Sequence, residues 1–168
     1  KFKYNLGVFL FTRDLRIIDN ITLNEARKIC KNILPIFIFT NEQVDKKKNE
    51  YKSNKSVQFM IESLDDLNIS MKKQNGLLNC FYGSREKILG EIIKNLDIDA
   101  FFMNKDYTPY AKNRENKIEK LCEKSNIDFY KYHDVSLYEP STILTGSKTY
   151  YQKFTPFYEK AIKEKIQL

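Results

Sequence analysis

The chain has 168 residues, with 29 Lys and Arg against 22 Asp and Glu, and a formal net charge of +7. This length suits one domain with an adequate core, and the 42% hydrophobic content excludes an intrinsically disordered chain. No apolar run approaches the roughly 20 residues that a membrane-spanning helix requires, so we expect a soluble protein with no membrane partner. Only five of the basic residues are Arg and all are dispersed, so the charge reflects a lysine-rich composition more than a nucleic-acid surface.

The start of the chain and its cysteines favour an intracellular location, in the cytoplasm or the nucleus. Lys1 and Lys3 lead directly into an apolar strand, without the pattern of a signal peptide. Cys30, Cys80 and Cys122 are far apart and odd in number, which indicates neither a disulfide framework nor a zinc site. Each lies on an apolar helix face or in a strand, and we interpret each as a small core residue.

Apolar runs and helical spacings alternate along the chain. The first run, 6–12, is rich in aromatic and β-branched residues, which is typical of a strand buried on both faces of a parallel sheet. A helix at 22–31 follows, then a strand at 33–39, with Pro35 near its start because proline cannot donate to a neighbouring strand. After a polar loop at 41–55, the predicted elements are a helix at 56–74, a strand at 77–82, a helix at 84–96, a strand at 98–103, a helix at 110–124 and a strand at 127–132.

Five strands that alternate with four helices predict an α/β domain. The expected architecture is an open, five-stranded parallel sheet, doubly wound and Rossmann-like, with helices on both faces. Residues 1–132 form this core. Residues 133–168 break the alternation and predict an irregular segment and a closing helix, with Thr155 as N-cap and Pro156 as its first residue.

Doubly wound sheets bind ligands beyond the carboxyl ends of their strands, where four segments should converge: 12–14, 39–41, 82–84 and 104–106. The expected pocket holds Arg13, Lys105 and two carboxylates, with aromatic walls that include Phe11 and Phe39. This mixture suits a planar, anionic organic molecule. For Arg16 and Asp19 we expect a mainly structural role, as a pair that pins the first loop.

Motifs for self-sufficient catalysis are missing from the sequence. No GxGxxG follows the first strand, and neither GxxxxGK[ST] nor GxSxG occurs. His133 is the only histidine, and we interpret it as a strand-end residue with a local hydrogen bond. We therefore assign no catalytic residue and no metal ligand.

Four ordered segments resemble the DNA photolyase and cryptochrome family. Residues 11–20, Phe-Thr-Arg-Asp-Leu-Arg-Ile-Ile-Asp-Asn, resemble its opening signature, (F)-R-x-D-L-R-x-x-D-N. Residues 56–67 resemble its second helix, 104–111 the loop after its fourth strand, and 144–150 with 153–157 the segment that closes its N-terminal domain. Together the four motifs cover nearly the whole chain.

This resemblance implies the family's N-terminal α/β domain, which in many members holds a light-harvesting antenna: a folate, a deazaflavin or a flavin. FAD and the DNA lesion would belong to a C-terminal helical domain, in the same chain or a separate one, toward which residues 133–168 would lead. Pyrimidine-dimer repair or blue-light sensing, and DNA binding, would be properties of the full protein. The family's tryptophan electron relay would lie outside this sequence, which has no Trp.

The resemblance also favours one class of antenna. Folate-binding relatives carry an Asn-Glu pair at the start of the fourth helix, where this chain has Tyr110 and Ala111, so a deazaflavin or flavin is favoured over folate. Asp106 would accept a hydrogen bond from the ring, and Arg13 would neutralise a phosphate or carboxylate tail. The full set of cofactor-binding candidates is Phe11, Arg13, Asp14, Phe39, Thr40, Asn104, Lys105, Asp106 and Tyr110.

Two alternatives stay open. In the first, the domain carries no chromophore and docks onto a separate FAD-binding helical domain through an exposed surface of aromatic residues. The same aromatic residues could instead fold back into the core of this domain. The aromatic residues in question are Tyr150, Tyr151, Phe154, Phe157 and Tyr158. A different nucleotide-binding α/β domain, such as an adenine-nucleotide stress protein or an electron-transfer flavoprotein subunit, shares the fold class but requires a glycine-rich phosphate loop that the sequence lacks.

Overall fold

All five predicted strands are present in the computed structural model, which describes residues 1–165. In chain order they are β1 (Tyr4–Phe11), β2 (Cys30–Phe39), β3 (Asn79–Tyr82), β4 (Ala100–Asn104) and β5 (Asp128–Tyr132). The helices are α1 (Ile21–Ile29), α2 (Asn41–Val44), α3 (Asn54–Lys72), α4 (Arg85–Asn95), α5 (Pro109–Lys124) and α6 (Phe154–Ala161). Every strand pair is parallel and the order is β3-β2-β1-β4-β5, which confirms the doubly wound sheet.

The side chains of the central strand β1 alternate between two cores, one on each face of the sheet. Phe9 and Phe11 pack on the face that α1 and α3 cover, whereas Val8 and Leu10 pack on the face that α4 and α5 cover. On the first face the helices contribute Leu23, Ala26, Leu64, Leu67 and Met71. On the second they contribute Leu89, Ile92, Ile118 and Cys122. Helices therefore bury both faces of the sheet, as parallel strands require.

Gly7 occupies a point of close approach between β1 and its neighbours. A Cβ atom there would lie 2.7 Å from the Cys30 Sγ and 2.8 Å from the Cε2 of Phe102. Any side chain at this position would displace one of these buried groups, so only glycine fits the observed packing.

The prediction that Pro35 lies near the start of its strand is wrong. Pro35 is in the middle of β2, opposite Phe9 of β1. On the other side of β2, pairing with β3 begins only at Ile36, and the Pro35 carbonyl accepts a hydrogen bond from the Asn79 side chain on that side (3.3 Å). The missing N–H therefore faces a stretch without a partner strand, which removes the penalty for proline inside a sheet.

Cys80 also differs from its prediction, because it is exposed on the edge strand β3. Cys30 and Cys122 are buried as expected. Burial raises the pKa of the Cys30 thiol to about 11 and that of Cys122 to about 12, so both are protonated at neutral pH and unsuited to nucleophilic chemistry.

The segment after β5 is irregular until α6, and the predicted cap of that helix is wrong. Lys153, rather than Thr155, occupies the N-cap of α6. Pro156 is the third helical residue instead of the first, which the helix tolerates because N–H groups in the first turn have no intrahelical acceptor. The last predicted residues, 166–168, lie outside the described part of the chain. Among residues 1–165, no helix combines the length and the apolar character needed to cross a bilayer.

Candidate functional site

The strand order reverses at β1, whose neighbours are β2 on one side and β4 on the other. The chain builds β2 and β3 to one side of β1 and then crosses back to add β4 and β5. Loops that leave β1 and β4 therefore diverge to opposite faces and leave a crevice at the carboxyl edge of the sheet. Two cavities lie next to each other in this crevice, and a third, lined by residues that include Arg16, His133 and Asp134, lies at the same edge on the α1 side.

The first, which we name the strand-end cavity, has a volume of about 270 Å³. Its apolar walls come from the ends of β1 and β2, namely Leu10, Phe11, Phe37 and Ile38. Its polar rim comprises Thr12, Arg13, Gln43, Arg85, Asp106, Thr108, Tyr110 and Arg114. An apolar interior with a few converging polar groups is typical of a site for an organic ring.

Asp106 is held rigidly at the rim of this cavity by the turn that starts α5. Its Oδ1 accepts hydrogen bonds from the backbone N–H groups of Tyr107 (2.7 Å) and Thr108 (3.3 Å). Its own N–H donates to the buried Glu115 (2.9 Å), and its Oδ2 lies 3.6 Å from Nη1 of Arg13. One carboxylate oxygen is thus used by the turn, while the other faces the rim.

The second, which we name the helix-start cavity, has a volume of about 320 Å³ and lies where α2 and α4 begin. Its lining is Thr40, Asn41, Glu42, Lys48, Gly83, Ser84, Arg85, Glu86, Tyr110, Asn113, Arg114 and Lys117. Arg85, Tyr110 and Arg114 line both cavities, which makes them the shared wall.

Gly83 and Ser84 shape the start of α4 at this cavity. Gly83 has φ of 135°, a conformation that side chains disfavour, and its N–H donates to the Phe39 carbonyl of β2 (2.9 Å). Ser84 is the N-cap, with its hydroxyl oxygen accepting from the Lys87 N–H (3.4 Å). The first turn of α4 therefore presents its backbone N–H groups at the edge of the sheet.

Five of the nine candidate residues line these cavities. Phe11, Arg13 and Asp106 line the strand-end cavity, Thr40 lines the helix-start cavity, and Tyr110 lines both. The other four, Asp14, Phe39, Asn104 and Lys105, are not among the lining residues. Lys105 instead forms an ion pair with Glu139 (2.8 Å), and the Phe39 ring packs edge-on against Phe37 (4.9 Å between centroids).

Asp14 and Asn104 belong to a polar network on the α1 side of the same edge. The Asn104 Nδ2 lies 2.5 Å from an Asp14 carboxylate oxygen, 3.0 Å from the Asn20 Oδ1 and 3.2 Å from an Asp134 carboxylate oxygen. Asn20 is fully buried and also caps α1 through the Leu23 N–H (3.1 Å). The network ties the loop after β1 to the ends of β4 and β5.

Arg16 has the expected structural role, although with a different partner. Its Nη2 donates to the Asp134 carboxylate (2.7 Å) and to the backbone carbonyl of Asp19 (2.6 Å). Asp134 also accepts a hydrogen bond from the Ile21 N–H (2.9 Å), so its carboxylate joins the segment after β5 to the loop after β1 and to the start of α1.

The interpretation of His133 as a strand-end residue with local hydrogen bonds is confirmed. Its Nε2 lies 2.7 Å from the Ser136 carbonyl, which requires a proton on that nitrogen, and its Nδ1 lies 2.7 Å from the Tyr107 hydroxyl. Burial raises the pKa of Tyr107, and the adjacent Glu139 carboxylate adds to this effect. The phenol therefore stays protonated and links the α5 turn to the segment after β5.

Arg85 and Arg114 are functional candidates that sequence reasoning missed. Arg114 lies on the apolar face of α5, between Ala111 and Ile118, and is only 8% exposed. The signal was present in the sequence, because an arginine at the helical spacing of buried residues, in a chain with only five arginines, is unusual.

Comparison with known proteins agrees with this architecture. The family model for DNA photolyase matches residues 7–167. A deoxyribodipyrimidine photo-lyase of Synechococcus is 23% identical over 152 residues, which cover 90% of this chain and 31% of the relative. A blue-light photoreceptor of Arabidopsis thaliana is 26% identical over 134 residues, which cover 79% of this chain and 30% of the relative.

A crystal structure of an archaeal photolyase from Sulfolobus tokodaii has a TM-score of 0.80 and 36% identity, and the match covers 96% of this chain and 36% of that protein. That protein contains two FAD molecules and is described as implying a novel light-harvesting cofactor. This chain thus spans about a third of these relatives, in the region of their α/β domain. A model that matches nearly every residue, together with a shared sheet topology, places the chain in the DNA photolyase family, as its N-terminal α/β domain.

Proposed function

We propose that this domain binds a deazaflavin or a flavin as light-harvesting antenna in the strand-end cavity. The observation that carries the proposal is the position of an apolar-walled cavity at the reversal of strand order, with the Asp106 carboxylate fixed at its rim. Tyr110 offers an aromatic face at the mouth, where a folate-type Asn-Glu pair is absent. The second FAD of the archaeal relative supports a flavin over a folate.

In this proposal the domain collects light and is not catalytic alone. Excitation energy passes to FAD in a C-terminal helical domain, and the full protein uses it to split pyrimidine dimers in DNA or to signal blue light. Because its substrate would be DNA, the protein would act in the cytoplasm or nucleus.

Tyr110→Ala tests the antenna site. The wild-type protein should bind a flavin or a deazaflavin and acquire its near-ultraviolet or blue absorbance band, whereas folate should bind more weakly. Loss of the ring contact should weaken flavin binding about tenfold, as expected for an aromatic contact of about 1–1.5 kcal/mol. Fluorescence titration measures the change.

Tyr51→Ala is the matched control, because Tyr51 is exposed and lines neither cavity. Its flavin affinity should equal that of the wild type. A native preparation without an absorbance band, combined with no binding of added flavin, deazaflavin or folate, would remove the antenna role.

The second candidate function, docking onto an FAD-binding helical domain, is favoured by a groove of about 730 Å³ beside α6. Its apolar lining includes Leu137, Pro140, Ile143, Tyr150, Phe157, Tyr158 and Ile162. Phe154 next to it is 74% exposed, and Tyr150 and Tyr158 are also exposed, so these three aromatics do not fold back into the domain, whereas Tyr151 and Phe157 are half-buried. The greater length of the relatives supports a helical domain as the occupant.

Phe154→Glu should weaken association with the helical domain of a relative at least tenfold, because a charge would be buried in an apolar interface. Phe59→Glu, at a residue of α3 that is 71% exposed, is the control and should associate normally. Co-purification and analytical ultracentrifugation give the readout. Equal association of the two variants would refute docking through this face.

A further inference from the structure

Arg114 is a buried guanidinium that forms no direct ion pair within residues 1–165. Its Nε and Nη2 are inaccessible to solvent and have no hydrogen-bond partner among residues 1–165, and no carboxylate in that range lies within salt-bridge distance. Burial lowers the pKa of Arg114 and the positive charge of Arg85 lowers it further, whereas the negative charges of Asp106 and Glu115 partly oppose this shift. Burying an unpaired charge destabilises a fold unless something else compensates it.

The groups around Arg114 also favour an anion. The lining of the helix-start cavity includes four cationic side chains, Lys48, Arg85, Arg114 and Lys117, and two carboxylates, Glu42 and Glu86. Glu86 is already engaged by Lys117 (3.2 Å), and Glu42 lies in the first turn of α2. The first turn of α4 adds backbone N–H groups to the same space, and a helix start attracts negative charge.

We propose that Arg114 and Arg85 bind a phosphate group of the ligand whose aromatic ring occupies the strand-end cavity. This inference rests on the proposed antenna function and narrows its ligand to a phosphorylated flavin or deazaflavin. The two cavities share Arg85, Tyr110 and Arg114 as a common wall, so one molecule can place its ring in one cavity and its phosphate at the other.

The geometry gives this role to Arg114 in place of Arg13. Arg13 is mostly exposed and already lies near the Asp106 carboxylate, which reduces its attraction for a second anion. Arg114 lines both cavities and forms no ion pair within residues 1–165, so its guanidinium is free to attract a phosphate placed between them.

The decisive comparison is FMN against riboflavin, which differ only in the phosphate. The wild-type protein should bind FMN about 10- to 100-fold more tightly, the range for hydrogen bonds to a charged group. Arg114→Gln should bring this ratio close to one, and Arg85→Gln should lower it. Arg27→Gln, at an exposed arginine of α1, should keep the wild-type ratio. Equal affinities for FMN and riboflavin, or an unchanged ratio in Arg114→Gln, would overturn the phosphate site while leaving the antenna function intact.

A second measurement uses inorganic pyrophosphate without any ring. It should raise the unfolding temperature of the wild type and of Arg27→Gln, and leave that of Arg114→Gln unchanged. If pyrophosphate stabilises the wild type in this way but no flavin or deazaflavin binds, the phosphate site would be retained and the antenna function would be rejected. No stabilisation by pyrophosphate in the wild type would overturn the phosphate site.

Without any ligand, Arg114→Gln should itself unfold at a higher temperature than the wild type. A lower unfolding temperature would indicate that Arg114 is structural.

Discussion

Asp134→Ala is expected to lower the free energy of unfolding by about 3 kcal/mol, the lower end of the range for breaking a buried ion pair. The Asp134 side chain is only 2% exposed and accepts hydrogen bonds from Arg16 and from the Ile21 N–H. Its removal leaves these two donors, and the Asn104 side-chain amide 3.2 Å from it, without their carboxylate acceptor. The lower end applies because Arg16 is partly exposed and can regain water.

Urea denaturation of the two proteins measures this loss. Asp66→Ala provides the control, because Asp66 is exposed on α3, and its stability should change by less than about 0.5 kcal/mol. A loss below about 1 kcal/mol for Asp134→Ala would show that the network is dispensable for stability.

Phe102→Ala is expected to cost about 3–5 kcal/mol of stability, the usual range for a fully buried phenylalanine. The Phe102 ring is inaccessible to solvent in β4, stacks on Tyr130 of β5 at 5.1 Å between centroids, and would contact any Cβ at position 7. Its removal leaves a cavity between the two strands that the α1-side core cannot fill without moving the sheet.

The matched control is Phe59→Ala, because Phe59 is largely exposed on α3 and its removal creates no cavity. Its midpoint of urea unfolding should remain near that of the wild type. A similar midpoint for Phe102→Ala would mean that the core around β4 collapses readily, against the close packing described for Gly7.

Most of the sheet could be predicted because its strands are apolar runs, and such runs in alternation with helices allow few topologies. The ends of helices and strands were harder to predict where one residue fits both the spacing of a helix and the apolar run of the next strand. Cys30 continues the helical spacing of α1, yet its backbone is already extended and it begins β2 without a loop. Pro35 was misplaced because the sequence does not reveal that β3 is shorter than β2.

The candidate site was predicted in part. Topology brought Phe11, Arg13 and Asp106 to one edge, because carboxyl ends of parallel strands meet there, whereas Tyr110 was named through the family resemblance. It could not tell which polar residues turn toward the cavities and which turn toward α1, as Asp14 and Asn104 do. Arg114 was missed because a charged residue on a helix is normally assigned to solvent, although its spacing from Ala111 and Ile118 indicated the buried face of α5.

The central position of β1 has a consequence for synthesis of the chain. β1 is the first of these five strands to be made, yet Gly7 pairs with Ala100 of β4, which emerges from the ribosome much later. Until then one edge of an apolar strand lacks its neighbour, and contacts so distant in sequence form slowly. A nascent chain therefore exposes this edge until β4 has left the ribosome, and the exposed apolar edge favours aggregation during that interval.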